Sequence, residues 1–409
     1  MSNQTTGQSI GLVVHNQIDT PLQILKNNFK FKSLSNWSCN ICNGCPHGCS
    51  FCYVPDSSTV KQEKRLEATG KIPQQWINER TSGFHWADAH WGEYTFLKTW
   101  DENVFRKSLK RAERQQGLPV DGNRAVMLCT TTDPYFTVSI PGNPEMTSLQ
   151  NARRRGLVRR ALQMILEEST LNVRILTRSP LAQQDFDLFE RFGDRLVFGM
   201  SLPTLNPRLS SVYEPNAPGP AAKLRALRAA VDRGLNVFVA VAPTLPDEGE
   251  DELRALFETV AEFKPITIFH EPINVRAENV ARIEARAAEL GIQINSGVFK
   301  SREEWREYAF GQLLLAERIA REIGLPEGVF HSWPDPDLAS KSGFISMKRM
   351  VHLRGQGPEK FDKRTAEAEW DASYGPWIKY WHNPEERISS WPGIRMPVWP
   401  AEPAQQVAA

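Results

Sequence analysis

The sequence predicts an α/β fold, a partial barrel of the (β/α)6 type in which parallel strands are covered by helices. Short apolar strands alternate with amphipathic helices from Arg124 to Ile323, as in parallel strands joined by crossover helices. The strands read as continuous apolar runs, which is typical of strands covered on both faces. No GxGxxG loop follows a strand, so an open dinucleotide-binding sheet is disfavoured.

Six strand-and-helix units are predicted in chain order. A separate helical stretch, at about Glu102 to Gln115, precedes the first unit. The six strands lie in "RAVMLCTTTDP", "NVRILTRSP", "RLVFGMSLPT", "NVFVAVAPTLP", "PITIFHEPIN" and "IQINSGV", and the last unit ends in a long helix from about Arg302 to Ile323. We therefore expect an N-terminal segment (1–32), a barrel (33–324) with a cysteine-rich loop at 39–53, and a Trp- and Pro-rich C-terminal extension (325–409) that wraps the barrel.

Charge and hydropathy limit the class of protein. Lys and Arg total 49 against 48 Asp and Glu, which weighs against an obligate nucleic-acid binder. The basic stretches that begin at Arg106 and Ala152 are interpreted as solvated helix faces. No apolar run approaches the roughly 18 residues that span a bilayer, and the N-terminus lacks the pattern of a secretion signal. A cytoplasmic protein without membrane contact is expected.

Five of the six cysteines lie between Cys39 and Cys52. Closely spaced thiols in a reducing compartment bind metal or carry out redox chemistry more often than they form disulfides. Three arrangements fit the spacing: a ferredoxin-like run from Cys39 to Cys49, a three-thiolate site in Cys45-x3-Cys49-x2-Cys52, or a zinc site. A two-cluster ferredoxin needs a second cysteine set, which the sequence lacks, and a zinc knuckle needs no barrel behind it.

Polar residues recur where the predicted strands end. They are Cys129 to Asp133, Thr177–Arg178, Ser201, Thr244, His270–Glu271 and Asn274. The carboxyl ends of the strands form the active-site face of β/α barrels. Their recurrence on nearly every strand predicts a site at this face.

The motifs resemble those of a known family. "CPHGCSFCY" matches the CxxxCx(aromatic)C motif of radical S-adenosylmethionine enzymes. "WGEYTFLKTW", "TTTDPY", "ILTRSP", "SLPTLNP" with "YEPNAPGP", and "VAPTLP" follow in the order seen in the spore photoproduct lyase-like branch, also called DNA-repair-photolyase-like. The resemblance spans roughly residues 31–246 and implies a partial barrel of the radical S-adenosylmethionine kind.

This resemblance implies a [4Fe–4S] cluster held by Cys45, Cys49 and Cys52, with one iron open to S-adenosylmethionine. Reductive cleavage, with electrons from a flavodoxin or ferredoxin, would give a 5′-deoxyadenosyl radical that abstracts hydrogen from substrate. The residues expected around S-adenosylmethionine are Phe51, Tyr53, Thr131, Thr132, Asp133, Arg178, Ser201 and Ala242. Arg178 departs from the family, which carries lysine there, but a guanidinium also binds carboxylate.

Cys129 corresponds to the cysteine that returns a hydrogen atom to the product radical in spore photoproduct lyases. Its context is "CTTTD", with one residue more than the family's Cys-Thr-Ser-Asp. Because strand side chains alternate in direction, such an offset can turn the thiol away from the radical. Cys129 is therefore expected to be either a hydrogen-atom donor or a buried structural cysteine.

Other residues keep more than one interpretation. Three are open for Cys39 and Cys42: binding a second metal with outside help, guarding the cluster, or holding the loop. Two are open for His47: ligating iron, or packing and hydrogen bonding within the loop. His270 and Glu271 contact substrate or tie strand to loop, and the tail aromatics stack on bases or pack on the barrel.

Three alternative functions are compatible with these patterns and with the resemblance. The first is radical modification of an unidentified substrate, such as a peptide, RNA or small metabolite. The second is repair of thymine photoproducts in DNA, and the third is a non-catalytic iron–sulfur or zinc-binding protein.

Overall fold

The computed structural model of the chain describes residues 13–27, 29–55, 60–79, 85–115, 124–276, 278–333 and 390–400, with positions 335, 364, 365 and 368. Within these residues the chain forms two sheets and eleven α-helices. Each of those helices is too short or too polar to cross a membrane.

The strands of the described residues are numbered in chain order. They are β1 Val14–Pro21, β2 Leu25–Lys26, β3 Trp37–Cys39, β4 Cys42–Asn43, β5 Tyr94–Thr99, β6 Ala125–Leu128, β7 Asn172–Thr177, β8 Leu196–Ser201, β9 Val237–Thr244, β10 Thr267–Pro272 and β11 Phe330–Ser332.

The α-helices are numbered in the same way. They are α1 Glu63–Glu67, α2 Gln74–Glu79, α3 Trp86–Ala89, α4 Glu102–Glu113, α5 Pro144–Glu168, α6 Phe186–Phe192, α7 Pro207–Tyr213, α8 Pro220–Asp232, α9 Glu250–Ala261, α10 Asn279–Leu290 and α11 Arg302–Glu322.

The larger sheet has eight strands in the order β11-β10-β9-β8-β7-β6-β3-β2. Every neighbouring pair is parallel except β2 with β3, which is antiparallel at the edge. Helices α5 to α9 connect successive parallel strands from β6 to β10. The predicted α/β fold with a partial barrel of parallel strands is confirmed.

The two faces of this sheet bury different side chains. Along β9, Val237, Val239 and Val241 pack in the large core beneath the helices, whereas Phe238 and Ala240 face the interior of the curved sheet. The alternation follows from the strand period of two. A Cβ at Gly199 would lie 2.2 Å from the Phe238 ring, so only glycine fits there.

The last strand differs from the sequence prediction. "IQINSGV" forms no strand: residues 292–295 are irregular and Ser296–Phe299 is a 3-10 helix. Ile292 and Ile294 instead pack with residues of α7 and α10. The outer strand is β11, which pairs with β10 beyond the predicted barrel boundary at 324.

A described part of the C-terminal extension enters the barrel interior. The fully buried Trp391 packs edge-on against Phe238, with ring centroids 5.5 Å apart, and donates a hydrogen bond from Nε1 to the Ser33 carbonyl at 2.6 Å. The guanidinium carbon of Arg174 lies 4.1 Å from its ring centroid. The predicted wrapping by residues 336–363 and 369–389 lies outside the described residues.

The N-terminal part adds a second, three-stranded sheet in the order β1-β5-β4. Its core includes Trp76 of α2, Trp86 of α3, Trp91, and Tyr94 of β5. Cys45 packs in the same cluster. The second sheet thus supports the start of the cysteine-rich loop.

Candidate functional site

One cavity at the carboxyl ends of the strands brings the predicted residues together. The cysteine-rich loop covers one side of it, and the ends of β6 to β10 form the other. The predicted site residues that line it are Cys45, Cys49, Phe51, Cys52, Tyr53, Cys129, Thr131, Thr132, Asp133, Arg178, Ser201, Ala242 and Glu271.

Of the residues expected to contact cofactor or substrate, His270 does not line this cavity. Its ring is fully buried between Ser332, whose Oγ lies 2.7 Å from Nδ1, and Thr244, whose Oγ1 lies 3.2 Å from Nε2. Burial lowers its pKa to about 3. Adjacent side chains of a strand point to opposite faces, so Glu271 reaches the cavity and His270 does not.

The cysteine-rich loop folds through two tight turns. The amide of Gly48 donates to the Cys45 carbonyl at 3.2 Å, and the amide of Cys52 donates to the Cys49 carbonyl at 3.0 Å. Gly48 has a φ of 55°, and a Cβ there would lie 3.0 Å from the Gly92 Cα. Glycine is therefore required at the centre of the three-cysteine segment.

The last residues of α7 and the segment that follows them hold this loop from one side. Ser50 donates from its amide to the Tyr213 carbonyl at 3.0 Å and from Oγ to the Val212 carbonyl at 2.8 Å. Asn216 donates from Nδ2 to the Pro46 carbonyl at 3.0 Å. These contacts fix the backbone on both sides of Cys49, and sequence reasoning did not find them because no local pattern marks them.

The three thiols are buried or half-buried and unpaired. Burial raises the pKa of Cys45 to about 11 and those of Cys49 and Cys52 to about 12, so bound iron has to displace their protons. Among the described residues no group of three or more Cys, His, Asp or Glu is arranged to hold a single metal ion. A four-iron cluster takes each thiolate on a separate iron, so these three thiols fit it without converging on one point.

Asp133 joins the ends of two strands at the cavity wall. Its Oδ1 accepts hydrogen bonds from the Tyr135 amide and the Thr177 hydroxyl, and its Oδ2 accepts one from the Arg178 amide, each at 2.7 Å. His47 Nδ1 lies 3.5 Å from Oδ2, and burial lowers the pKa of this histidine. Both carboxylate oxygens are thus used within the protein.

Arg178 belongs to a buried charge network that sequence reasoning missed. Its Nε donates to Glu214 at 2.6 Å, and Glu214 also pairs with the fully buried Lys223. The Arg178 guanidinium carbon lies 5.4 Å from the Phe51 ring centroid. Glu214 therefore orients a cation on the wall of the cavity, next to the loop.

Four polar atoms of residues that line the cavity are buried without a hydrogen bond within the described residues: His47 Nδ1, Trp91 Nε1, Ser201 Oγ and Asn274 Oδ1. Buried polar groups are nearly always satisfied, so a ligand that reaches the Ser201 and Asn274 oxygens is expected. Elsewhere in the lining, Asn40 Oδ1 accepts from the amides of Thr130 and Thr131 at 2.7 and 3.2 Å and fixes that segment.

Cys129 lies at the cavity, unlike Cys39 and Cys42. It follows β6 with a φ of 63°, which is outside strand geometry, so the alternation argument does not apply to its thiol. Cys39 is buried in β3, and Cys42 Sγ lies 3.3 Å from both the Gly44 carbonyl and Thr132 Oγ1. These contacts favour a loop-holding role for Cys42.

A charged pair, Lys32 with Glu271, forms another part of the cavity lining. Lys32 pairs with Glu271, and its Nζ lies 5.9 and 6.0 Å from the ring centroids of Phe29 and Trp333. Lys32 comes from the N-terminal segment, and the sequence offered no signal for it. The Lys32–Glu271 pair thus adds a second set of charged side chains to the lining, besides Arg178.

No family model matches the chain. The uncharacterized protein ORF301 of Acidianus two-tailed virus is 28% identical over 262 residues, which is 62% of this chain and 73% of that protein.

Among solved structures, a cysteine-to-serine mutant of spore photoproduct lyase matches with a TM-score of 0.51 at 13% identity, over 78% of this chain and 81% of the lyase. A cysteine-to-alanine mutant with dinucleoside spore photoproduct matches with a TM-score of 0.51 at 13% identity, over 78% and 82%. The chain therefore has the fold of spore photoproduct lyase, and the predicted fold class is confirmed.

Proposed function

We propose that the chain is a radical S-adenosylmethionine enzyme. Cys45, Cys49 and Cys52 would hold a [4Fe–4S] cluster, and S-adenosylmethionine would bind in the same cavity. The observation that carries the proposal is the shared lining: three thiols of one short loop, the predicted strand-end residues and Cys129 surround one cavity. When bound, the cluster and S-adenosylmethionine supply a carbon-centred radical that abstracts hydrogen from a substrate.

The residues of the chain then have separate tasks. Arg178, held by Glu214 at 2.6 Å, would present its remaining guanidinium nitrogens to the carboxylate of S-adenosylmethionine. Ser201 Oγ, which is buried without a partner, would bind its ribose. Phe51 would pack beside the adenine, with Tyr53 and Ala242 along the same wall. Asp133 would position Thr177 and the backbone of Arg178.

Formation of 5′-deoxyadenosine tests this proposal. The protein is reconstituted with iron and sulfide without oxygen, reduced, and incubated with S-adenosylmethionine. The parent and Cys39→Ala are expected to release 5′-deoxyadenosine, and Cys49→Ala is not. Cys39 is a matched control because it is buried but does not line the cavity. Equal release by the parent and Cys49→Ala would refute the assignment of the cysteines.

The substrate proposed first is not DNA but a peptide, an RNA or a small metabolite. Two arginines of the basic stretches that DNA binding would use are paired within the protein: Arg106 bonds Glu102 and Glu168, and Arg159 bonds Asp185 and Asp187. Paired arginines offer little to a phosphate backbone. The protein would receive its electrons from a flavodoxin or ferredoxin in the cytoplasm.

Repair of a thymine photoproduct is a second candidate, and the position of Cys129 favours it. Cys129 lines the same cavity as the three-cysteine loop, and its thiol donates to the Cys39 carbonyl at 3.7 Å. To return a hydrogen atom to a product radical, the S–H would have to leave this bond and turn into the cavity. The test is thymine recovery from dinucleoside spore photoproduct, with Cys129→Ala beside the parent. No thymine from the parent would remove this candidate and leave the first.

The alternative to an enzyme is a non-catalytic iron–sulfur or zinc-binding protein. Iron, zinc and sulfide analysis of the reconstituted protein separates them. Zinc without sulfide would exclude the enzyme, whereas iron with sulfide but no 5′-deoxyadenosine would favour a non-catalytic cluster.

A further inference from the structure

Helix α10 lies beside the three-cysteine loop and contacts its backbone through Arg282. The guanidinium donates from Nε to the Ser50 carbonyl at 3.2 Å and from Nη2 to the Cys52 carbonyl at 2.6 Å. Its Nη1 pairs with Asp88 of α3. One side chain thus connects α3, α10 and the last turn of the loop.

Neighbouring contacts fix this arrangement. Asn279, three residues earlier on α10, donates from Nδ2 to the carbonyls of Asn274 at 2.7 Å and Phe51 at 3.4 Å. Asp88 also accepts a hydrogen bond from the Glu278 amide at 2.9 Å. The carbonyls of residues 50, 51 and 52 are therefore all held by α10.

The charges of this pair are shielded from water. The side chains of Arg282 and Asp88 are 15% and 8% exposed. Charges removed from solvent interact over several ångströms with little screening. A guanidinium hydrogen-bonded to the carbonyl of a cluster-binding cysteine favours the more negative, reduced form of a cluster on that loop, and the Asp88 carboxylate opposes this effect.

We infer that Arg282 is a positioning residue of the cluster loop and that the Arg282–Asp88 pair sets the reduction potential of the cluster. The inference deepens the proposed function and rests on it. The fork of Arg282 holds the carbonyls of Ser50 and Cys52, both within the Cys49–Cys52 segment, which a lysine with a single ammonium could not do in the same way. Its charge stabilises the added electron, and Asp88 limits that stabilisation.

Midpoint potentials of the reconstituted cluster test the inference, because the two partners have opposite effects. Arg282→Met removes the cation and should lower the equilibrium constant for one-electron reduction at least tenfold, a shift of about 59 mV to more negative potential. Asp88→Asn removes the opposing carboxylate and should shift the potential to more positive values. Arg286→Met is the control, since Arg286 lies one turn along α10 and contacts the Ser211 carbonyl and Glu289.

A purely structural role would not give shifts of opposite sign. The inference is overturned when Arg282→Met and Asp88→Asn shift the potential in the same direction, or when neither differs from Arg286→Met. Amide hydrogen exchange of the cluster-free protein tests the positioning part independently: exchange at the amides of residues 48–53 should be faster in Arg282→Met than in Arg286→Met. Equal exchange in the two variants would refute that part.

The two proposals fail in different ways. A parent protein that takes up no iron and sulfide refutes the proposed function. A parent with a normal cluster, whose potential and loop exchange do not respond to Arg282 or Asp88, refutes only this inference.

Discussion

The carboxylate of Asp133 accepts a hydrogen bond from the Thr177 hydroxyl at 2.7 Å, across the carboxyl ends of β6 and β7. The same carboxylate accepts from the Arg178 amide at 2.7 Å, so one buried side chain fixes the start of the segment that carries the Arg178 guanidinium. Asp133 thus acts through its neighbours, and its two oxygens are already occupied by donors of the chain.

Asp133→Asn should therefore destabilise the protein even without cofactors. The amide nitrogen that replaces one oxygen faces an N–H or O–H donor, which leaves buried groups unsatisfied and costs about 1–3 kcal/mol. Chemical denaturation of the cluster-free protein measures this loss. Asp187→Asn is the control, because the Asp187 side chain is 62% exposed and its surface ion pair with Arg159 contributes only about 0–1 kcal/mol. Equal losses in the two variants would contradict the buried network.

Gly48→Ala should disrupt the three-cysteine loop. Gly48 has a positive φ, and the added Cβ would meet the backbone of Gly92 at 3.0 Å. Gly70 also has a positive φ, of 67°, but a Cβ there meets nothing within 4 Å. Gly70→Ala should cost only the backbone strain of about 1–2 kcal/mol and leave iron uptake intact, whereas Gly48→Ala should lose most of the iron. Normal iron uptake by Gly48→Ala would contradict the described loop geometry.

Trp391→Ala should be among the most destabilising single changes in the described residues. The indole is fully buried between Phe238 and Arg174, so truncation leaves a large cavity and a buried cation, at a cost of about 3–5 kcal/mol. Trp399→Ala is the control, because Trp399 is only partly buried and its Nε1 donates to the Pro265 carbonyl at 3.3 Å. Thermal unfolding of both variants measures the difference. A smaller loss for Trp391 than for Trp399 would show that the extension does not enter the barrel.

His270 should make stability fall as the pH decreases from about 6.5. Burial lowers its pKa from 6.5 to about 3, so in this interval the unfolded chain binds a proton that the folded chain does not. Above pH 6.5 His270 is neutral in both the folded and the unfolded chain, so its contribution to the pH dependence of stability vanishes. His270→Gln should flatten the decline between pH 6.5 and pH 5, beyond any constant cost at pH 8. Parallel pH profiles of stability for parent and variant would exclude this role. His15, whose pKa burial lowers to about 4, is present in both proteins and so contributes equally to the two profiles.

The strands from β6 to β10 could be predicted because each is an apolar run bounded by an amphipathic helix. The same regularity placed the site, since the residues after each run meet at one end of a parallel sheet. "IQINSGV" was predicted wrongly: its alternating isoleucines have the period of a strand but cover helices α7 and α10 instead. A short period-two pattern does not show what the apolar face packs against.

The contacts that sequence reasoning missed join segments far apart in the chain. Trp391 reaches Ser33 across the barrel, Lys32 reaches Glu271, and Arg282 reaches Cys52. None of these pairs has a characteristic spacing, because the fold alone decides which distant residues meet. His270 and Glu271 show that neighbours in the sequence need not share a site: Glu271 lines the cavity and His270 does not.

The most direct test of the central claim is the iron and sulfide content of the anaerobically reconstituted protein, with the electron paramagnetic resonance spectrum of the reduced cluster before and after S-adenosylmethionine is added. Four iron and four sulfide per chain are expected, with a spectrum that changes on addition of S-adenosylmethionine. Cys45→Ala, Cys49→Ala and Cys52→Ala should lose this cluster, and Cys42→Ala should keep it. A cluster that survives Cys49→Ala but not Cys42→Ala, or a spectrum that S-adenosylmethionine leaves unchanged, would contradict the account.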